Sequence, residues 1–456
     1  MMRHWWLAVL RCFSCSGPRT SRPVRLSCVL CIQSGPGSTA KRPRRTSRFR
    51  SMISSSLRMA GSIRATTRRI WLCPVSVKRL RKRRKGPAVF LPERLISARA
   101  LTGVTQTALA ETAGVAQSMV SMVEKHQRDF TEQLAVAFSS ALALPLEYFT
   151  VTPRSIPRDS LHYRKQSGAR VSDTARVHEL FSEAFRVTES LLDGSGYPRQ
   201  QLLAVQDDAE LLDVARIDEL AQQTREILGI AADAPISNVT RALERAGVAV
   251  ATMNGHDDGF VKHSGVSWSA GRGEAALIGV MQVRGDRDRF TLAHELGHLV
   301  LHSFRRSSDP EREANLFAGA FLIPAPQVRE HVAHDATLVD LRRVKATWGL
   351  SIQAILMRAQ AVEQIDAARS QTLWKQLSAR GWRKNEPVEV GAESPRLLFR
   401  LLQERYGPSP YSAPEIENEM ALPVMMLRSL APSPSTRKPS SSTPRPVAQL
   451  PWAGHG

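Results

Sequence analysis

The chain has 456 residues, of which 42% are apolar and 23% are charged, as in ordinary globular proteins. A chain of this length exceeds one ordinary hydrophobic core, so we expect two or three domains. No apolar run approaches the roughly 18 residues that a membrane-spanning helix needs, and we therefore predict no membrane partner. The apolar stretch within residues 1–10 is also shorter than the core of a secretory signal.

The net charge of +21 comes from one segment of the chain. Residues 1–88 contain 22 Lys and Arg and no Asp or Glu, so the other 368 residues are close to neutral. We interpret this segment as a low-complexity extension that is disordered or translated from a start codon set too early. The alternative is a basic arm that contacts phosphates. A nucleic-acid partner must therefore be argued from a motif and not from the overall charge.

All five cysteines lie in this basic segment. Cys12, Cys15, Cys28 and Cys31 have the spacing C-x2-C-x12-C-x2-C, and four thiolates in two such pairs can hold tetrahedral zinc. The surrounding residues lack the turn glycines and β-patterned residues of a zinc ribbon, so zinc binding by these cysteines stays an open alternative. The absence of cysteine after residue 73 is consistent with a reducing, cytoplasmic location.

From about residue 89 onward, apolar residues recur with helical spacing, interrupted by a few short β-like runs. We expect a mainly α fold with a smaller β component. The β-like runs cover residues 248–253, 259–261 and 275–280. After the basic segment we predict a first domain at 89–152, a helical connector at 153–209 and a second domain at 210–362. A mixed helical region at 363–430 and a disordered Ser/Pro tail at 431–456 follow.

The first motif is a pair of short helices joined by a glycine turn. Thr105 is a suitable N-cap for a helix that ends near Ala113, and Gly114 permits a left-handed turn. Val120 and Val123 then point back into a core, because residues three apart share a face of a helix. The opposite face of this second helix is then exposed and can contact base edges in a DNA major groove.

This segment resembles the Cro/repressor-like (XRE) helix-turn-helix family, including flanking helices at Arg94–Ala100 and Glu132–Leu142. The resemblance implies a five-helix bundle that binds a double-stranded DNA operator. It also implies that Gln106 contacts the phosphate backbone and orients the second helix. Ala116 departs from the usual Ser or Thr cap of that helix. The residues that we predict to bind DNA are Gln106, Gln117, Ser118, Ser121 and Met122.

The second motif is His294-Glu295-Leu296-Gly297-His298, which has the form H-E-x-x-H. Four helical residues advance about 400°, so the two histidines lie on one face, about one turn apart. Both imidazoles can then reach one Zn²⁺, and Glu295 is placed to take a proton from a water molecule. His302 follows one turn later, and we leave open whether it contacts substrate, contacts water or is only partly exposed.

A catalytic zinc site needs a third protein ligand, and the next predicted helix offers two carboxylates. Glu311 and Asn315 are four residues apart and share a face, so Glu311 can complete the ligand set. Asn315 can then hydrogen-bond a ligand imidazole and fix its tautomer. Glu313 points about 160° away from Asn315 and fits the role of ligand less well.

The ordered pair of motifs, H-E-L-G-H at 294–298 and E-x-x-A-N-x-F-A at 311–318, resembles the ImmA/IrrE metallopeptidase family. The resemblance covers about residues 210–360 and implies a zincin-like domain with a small sheet packed on the H-E-x-x-H helix. It implies that His294, His298 and Glu311 bind zinc and that Glu295 is catalytic. In such peptidases an edge strand can pair with an extended substrate, and residues 275–280 are our candidate for this edge.

Together the two motifs predict a transcriptional regulator with a zinc-dependent endopeptidase domain. The resemblance implies that the substrate is a partner repressor or another regulatory protein. The alternative is a repressor or antitoxin-like protein whose metal-binding domain only senses a metal or a partner. Retention of Glu295 favours the peptidase, because a purely structural zinc does not require that carboxylate. We also expect a homodimer on paired half-sites.

Overall fold

The computed structural model describes residues 88–154, 156–157, 161–165, 171–253, 263–282 and 284–434. The basic segment up to residue 87, with its paired cysteines, lies outside these ranges. So do the predicted β-like run at 259–261 and residues 435–456 of the Ser/Pro tail. The described chain is mainly helical with one small sheet, which confirms the predicted fold class. None of its helices is long and apolar enough to cross a membrane.

The helix-turn-helix region consists of four α-helices followed by a 3₁₀ helix at Leu146–Phe149, so the fifth predicted helix is a single 3₁₀ turn. The side chains of Thr105 and Thr131 cap the second and fourth helices by accepting a backbone N–H. Gly114 ends the second helix at φ 68°, a conformation that favours glycine. The α-helices are α1 (Pro92–Thr102), α2 (Gln106–Ala113), α3 (Gln117–Glu124) and α4 (Glu132–Leu142).

The remaining helices surround the sheet or extend from it. A long connector helix comes first, and the other helices follow, separated by loops, several of which contain Gly or Pro residues. Their bounds are α5 (Val171–Leu192), α6 (Val214–Ile227), α7 (Val239–Arg245), α8 (Gly285–Leu301), α9 (Pro310–Leu322), α10 (Ala325–His331), α11 (Leu338–Trp348), α12 (Ile352–Ala361), α13 (Ala367–Ala379), α14 (Leu397–Tyr406), α15 (Ile416–Met420) and α16 (Val424–Leu430).

The described sheet has four strands in the order β1-β3-β4-β2. They are β1 (His162–Lys165), β2 (Val248–Thr252), β3 (His263–Ser269) and β4 (Ala276–Val280). β3 is antiparallel to both β1 and β4, whereas β2 and β4 are parallel. The prediction that residues 275–280 form an edge strand is wrong, because β4 is paired on both sides. The sequence pattern also missed β3, although Val266 and Trp268 alternate there with small residues.

The two faces of the sheet belong to two different clusters of buried side chains. Along β2, Val248 and Val250 face the cluster that contains α8, α9, α11 and α12. Ala249 and Ala251 face the opposite cluster, which contains α5 and α14. This alternation follows from the period of two in a β-strand. The second cluster continues without interruption into the core of α1–α4, so the connector helix and the helix-turn-helix share one core.

Candidate metal centre and DNA-binding helices

Helix α8 places the two histidines of the H-E-x-x-H motif side by side in the interior. His294 is fully buried and His298 is 2% exposed. Their Nε2 atoms lie 3.1 Å apart. Two nitrogens that each lie 2.0–2.1 Å from one tetrahedral metal are separated by about 3.3 Å. The two imidazoles are therefore already arranged as ligands of a single ion.

Helix α9 brings the third candidate ligand to the same point. Glu311 Oε2 lies 3.5 Å from Nε2 of His294, and Oε1 lies 3.3 Å from Nε2 of His298. One ligand atom from each of the three residues lies within 4.8 Å of the others. Partial burial favours a raised pKa for Glu311, but its hydrogen bonds to the imidazoles outweigh burial and hold the pKa well below its usual value. Two imidazoles and one anionic carboxylate form a donor set that Zn²⁺ prefers, so these residues fit a zinc ion.

Asn315 lies one turn beyond Glu311 and contacts the other ring nitrogen of His294. Its Oδ1 is 3.1 Å from Nδ1 of His294. An amide oxygen can only accept, so this contact places the imidazole proton on Nδ1 and leaves the Nε2 lone pair for a metal. The geometry is the one predicted from the spacing of Glu311 and Asn315.

Glu313 lies on the other side of α9 and belongs to a separate buried group. It is fully buried and accepts hydrogen bonds from the Leu212 amide, from His302 and from Arg305. Burial alone favours a raised pKa for Glu313, but the Leu212 amide and His302 lower it below its usual value. Burial also lowers the pKa of His302 to about 4, against the opposing hydrogen bond to Glu313. Glu313 therefore lies apart from the three candidate ligands, as helical spacing predicts, but that spacing did not predict its partners.

Glu295, the predicted catalytic residue, is fully buried between α8 and β3. Ser267 Oγ of β3 donates a hydrogen bond of 2.7 Å to its Oε2. Gly265 lies two residues earlier, and a Cβ atom there would be 2.6 Å from Oε1 of Glu295 and 2.7 Å from Cγ2 of Thr291. The strand can approach the carboxylate this closely because residue 265 has no side chain.

A cleft of about 560 Å³ opens beside these residues. It is lined by the end of β3, the C-terminal turn of α8 and the loop that leads to α9, including Ser267, His298, His302 and Arg306. The candidate metal ligand His298 thus lies at the wall of a space that can receive a chemical group from outside the protein.

The second candidate site lies on α3, whose outer face carries the predicted DNA-binding residues. Gln117 and Ser118 are exposed, whereas Ser121 and Met122 are partly exposed. Val120 and Val123 are fully buried and hold the helix on its neighbours. Ala116 precedes α3 and offers no side-chain cap, as its residue type predicted.

A chain of hydrogen bonds fixes the two glutamines of this site. Arg99 pairs with Glu124 at 2.5 Å, and Glu124 accepts a 2.6 Å hydrogen bond from Nε2 of Gln106. Oε1 of Gln106 in turn accepts a 2.7 Å hydrogen bond from Nε2 of Gln117. Gln106 thereby orients the first residue of α3, which leaves the side-chain oxygen of Gln117 available to a partner.

Comparison with known families agrees with both motifs. Residues 95–149 match a family model described as helix-turn-helix, and residues 282–360 match one described as the IrrE N-terminal-like domain, a peptidase family. The chain combines an XRE-type helix-turn-helix domain with an IrrE-like domain. No curated protein matched the chain. The match to the IrrE-like domain contains α8 and α9 and therefore His294, Glu295, His298, Glu311 and Asn315.

The close contact between β3 and Glu295 of the IrrE-like domain yields a prediction. We expect Gly265→Ala to lower the free energy of unfolding by about 1–3 kcal/mol, because the new methyl group overpacks a buried contact. Gly391→Ala is the matched control, since a Cβ atom there meets nothing within 4 Å. Urea denaturation followed by circular dichroism measures both. Equal stability of the two variants would show that β3 does not press against Glu295.

Proposed function

We propose that this protein is a DNA-binding transcriptional regulator whose IrrE-like domain is a zinc-dependent endopeptidase. The observation that carries the proposal is the convergence of His294, His298 and Glu311 beside a buried Glu295. The presence of an XRE-type domain in the same chain supports a partner repressor or another regulatory protein as the substrate. DNA as a partner also supports a cytoplasmic location.

His294, His298 and Glu311 would hold the zinc ion, and Asn315 would keep His294 in the tautomer that binds it. When bound, a zinc ion would lower the pKa of a water molecule and would polarise the scissile carbonyl. Glu295 accepts a proton from the attacking water as the water oxygen bonds to the carbonyl carbon. It then delivers that proton to the leaving amine nitrogen as the C–N bond breaks.

The sheet order limits where an extended substrate can pair with the sheet. β3 is the strand that contacts Glu295, and it is paired with β4 on one side and β1 on the other. A substrate that added to the sheet beside Glu295 would therefore have to take the position of β1, and not an edge of β4.

Zinc stoichiometry of the full-length protein tests the metal site. We expect about one zinc per chain in the wild type and in Glu295→Gln, and none in His294→Ala, because His294 is a proposed zinc ligand and Glu295 is not. His334→Ala is the control, since His334 is exposed and does not belong to the group of three candidate ligands. Elemental mass spectrometry gives the ratio of zinc to protein.

The same variants separate catalysis from metal binding. In cells that express the wild type, we expect new protein N-termini that are absent with Glu295→Gln, and mass spectrometry of N-terminal peptides detects them. A wild type without zinc, or zinc retained by His294→Ala, would contradict the metal site. Bound zinc with identical N-termini for the wild type and Glu295→Gln would instead favour a domain that senses a metal or a partner.

For the helix-turn-helix domain, we propose that Gln106 contacts phosphate while Gln117, Ser118, Ser121 and Met122 meet base edges. A glutamine side chain can pair with N6 and N7 of adenine, whereas methionine offers apolar contact to a thymine methyl group. Recognition by a second copy of the chain on a paired half-site would make the DNA-bound form a homodimer.

Selection from a pool of random double-stranded oligonucleotides tests the DNA site. We expect the wild type to enrich one sequence, and Gln117→Ala to bind that sequence about 10–100-fold more weakly, because a bidentate base contact contributes about 1–3 kcal/mol. Gln371→Ala removes an exposed glutamine from α13 and is the matched control. No enrichment by the wild type would contradict sequence-specific binding. Equal affinity of the two variants would remove Gln117 from the contact surface.

A further inference from the structure

A further histidine, His302, contacts the candidate ligand His298 on the side away from the candidate metal position. His302 follows it by four residues at the end of α8, and the two Nδ1 atoms are 3.0 Å apart. The side chain of His302 is 2% exposed, so water does not surround this contact. Asn315 has the equivalent position behind His294. Each candidate imidazole ligand therefore has a different partner on its far side.

His302 is itself held from behind by a buried carboxylate. Its Nε2 lies 2.8 Å from Oε2 of Glu313, whose side chain has no exposed surface. Arg305 pairs with the same oxygen, and the Leu212 amide donates a 2.6 Å hydrogen bond to Oε1. Glu313 is thus an immobile anion with hydrogen bonds to both oxygens.

The positions of the protons follow from these contacts. An ionised Glu313 can only accept, so Nε2 of His302 carries a proton and donates it. In a neutral imidazole the other nitrogen, Nδ1, then carries a lone pair and acts as an acceptor. This lone pair can accept only if Nδ1 of His298 carries a proton, which leaves Nε2 of His298 with the lone pair that a metal requires.

We infer that His302, held by a Glu313 carboxylate that also pairs with Arg305, is a positioning residue that sets the tautomer and ring orientation of His298. The inference rests on the proposed zinc site. It extends the usual arrangement, in which a carboxylate contacts a ligand histidine directly, by one intervening imidazole. It also explains why two ionisable side chains outside the ligand set are buried beside α8.

Two substitutions of His302 separate its two hydrogen bonds. In His302→Asn, the side-chain oxygen can replace Nδ1 and accept from His298, but it does not reach Glu313. In His302→Gln, the longer amide replaces Nε2 and reaches Glu313, but no acceptor faces His298. Both variants are polar and differ by one methylene group, so each serves as a control for the folding of the other.

The experiment is zinc affinity of the full-length protein, measured by competition with a chromophoric chelator. We expect His302→Gln to bind zinc about 10–100-fold more weakly than the wild type, and His302→Asn to keep most of the affinity. The visible spectrum of bound Co²⁺ should change in His302→Gln only, because it reports the orientation of the ligand imidazoles. His334→Phe controls for the loss of a remote histidine.

Equal affinities and equal Co²⁺ spectra for the wild type and His302→Gln would overturn this inference and leave the zinc site in place. Weaker binding by His302→Asn than by His302→Gln would overturn it as well, since the contact to Glu313 would then matter more than the contact to His298. A wild type that binds no zinc would instead refute the proposed function.

The sheet order carries a second, independent inference. β1 comes from the connector between the helix-turn-helix domain and α5, and it pairs antiparallel with β3 from His162↔Ser267 to Lys165↔His263. Gly265, which lies close to Glu295, and Ser267, which donates a hydrogen bond to it, both lie within this paired stretch of β3. Ser267 also lines the cleft beside His298.

A sheet edge can pair with only one strand at a time. Extended peptides bind to such edges through main-chain hydrogen bonds, which any sequence can form. β1 is four residues long, and its pairing is irregular between Tyr163 and Lys165. A short, irregular strand offers few ladder hydrogen bonds, so another extended chain can compete with it.

The geometry points to β1 as an intramolecular block of the peptidase site. It occupies the edge of β3 that an extended substrate would use, and it must leave before a substrate backbone pairs there. This inference also rests on the proposed function. Because β1 lies in the connector, a rearrangement next to the DNA-binding domain could release the site.

Two zinc-binding probes test this block on the zinc-loaded full-length protein. Acetohydroxamic acid needs only the metal, whereas a hydroxamate on a tri-alanine backbone also needs the strand edge. We expect the double variant Tyr163→Pro and Arg164→Pro to bind the tri-alanine probe at least about tenfold more tightly than the wild type, because proline lacks the backbone N–H that a ladder hydrogen bond requires and is not tolerated inside a paired strand. The corresponding double alanine variant keeps the backbone donors and is the control.

Affinity for acetohydroxamic acid should be the same in all three proteins, as measured by calorimetry. Unchanged or weaker binding of the tri-alanine probe to the proline variant would overturn the block and make β1 a permanent part of the sheet. Failure of every protein to bind acetohydroxamic acid would count against the zinc site and not against the block alone.

Discussion

The constraint on which the structure around α8 depends is the burial of polar side chains in consecutive turns of one helix. His294, Glu295, His298 and His302 all face the interior, where an unsatisfied polar group is costly. The surrounding elements supply hydrogen-bond partners: Asn315 from α9 for His294, Ser267 from β3 for Glu295, and Glu313 from α9 for His302. The same contacts that make burial tolerable also orient the candidate ligands.

The start of α8 is fixed by charged residues from the C-terminal part of the chain. Arg289 pairs with Glu393 at 2.5 Å, and Glu393 also accepts the Val239 and Thr240 amides at the start of α7. One buried carboxylate thus joins the helix that carries the H-E-x-x-H motif to a neighbouring helix. Breaking such a buried pair leaves an uncompensated charge, which makes this junction rigid. The segment between α13 and α14 therefore takes part in holding the helix that carries the candidate metal ligands.

The connector helix α5 joins the DNA-binding helices to the sheet. Glu183 of α5 pairs in the interior with Arg94 of α1, and Arg94 also donates a 2.8 Å hydrogen bond to the Tyr148 carbonyl. Burial favours a raised pKa for Glu183. The charges of Arg186 and Arg94 and their hydrogen bonds outweigh burial and hold this pKa below its usual value. Because α5 covers one face of the sheet, the buried core of the helix-turn-helix continues onto that face.

The sequence by itself determined the features that depend on residue type and local spacing. The cap at Thr105, the turn at Gly114, the common face of His294 and His298, and the placement of Glu311 with Asn315 all follow from residue type and helical geometry over a few residues. The bounds of α4 agree with the predicted flanking helix at Glu132–Leu142 for the same reason. Both family resemblances rest on such local patterns.

Only the tertiary structure decided which distant segments meet. The sheet order places β4 in the centre and brings β3 to Glu295. The sequence did not predict this order, because strand pairing depends on contacts that no short pattern encodes. The partners of Glu313 come from α8, from the loop after it and from residue 212, about 100 residues earlier in the chain. Burial made these contacts necessary, because a charged side chain inside a protein needs partners that its own helix cannot supply.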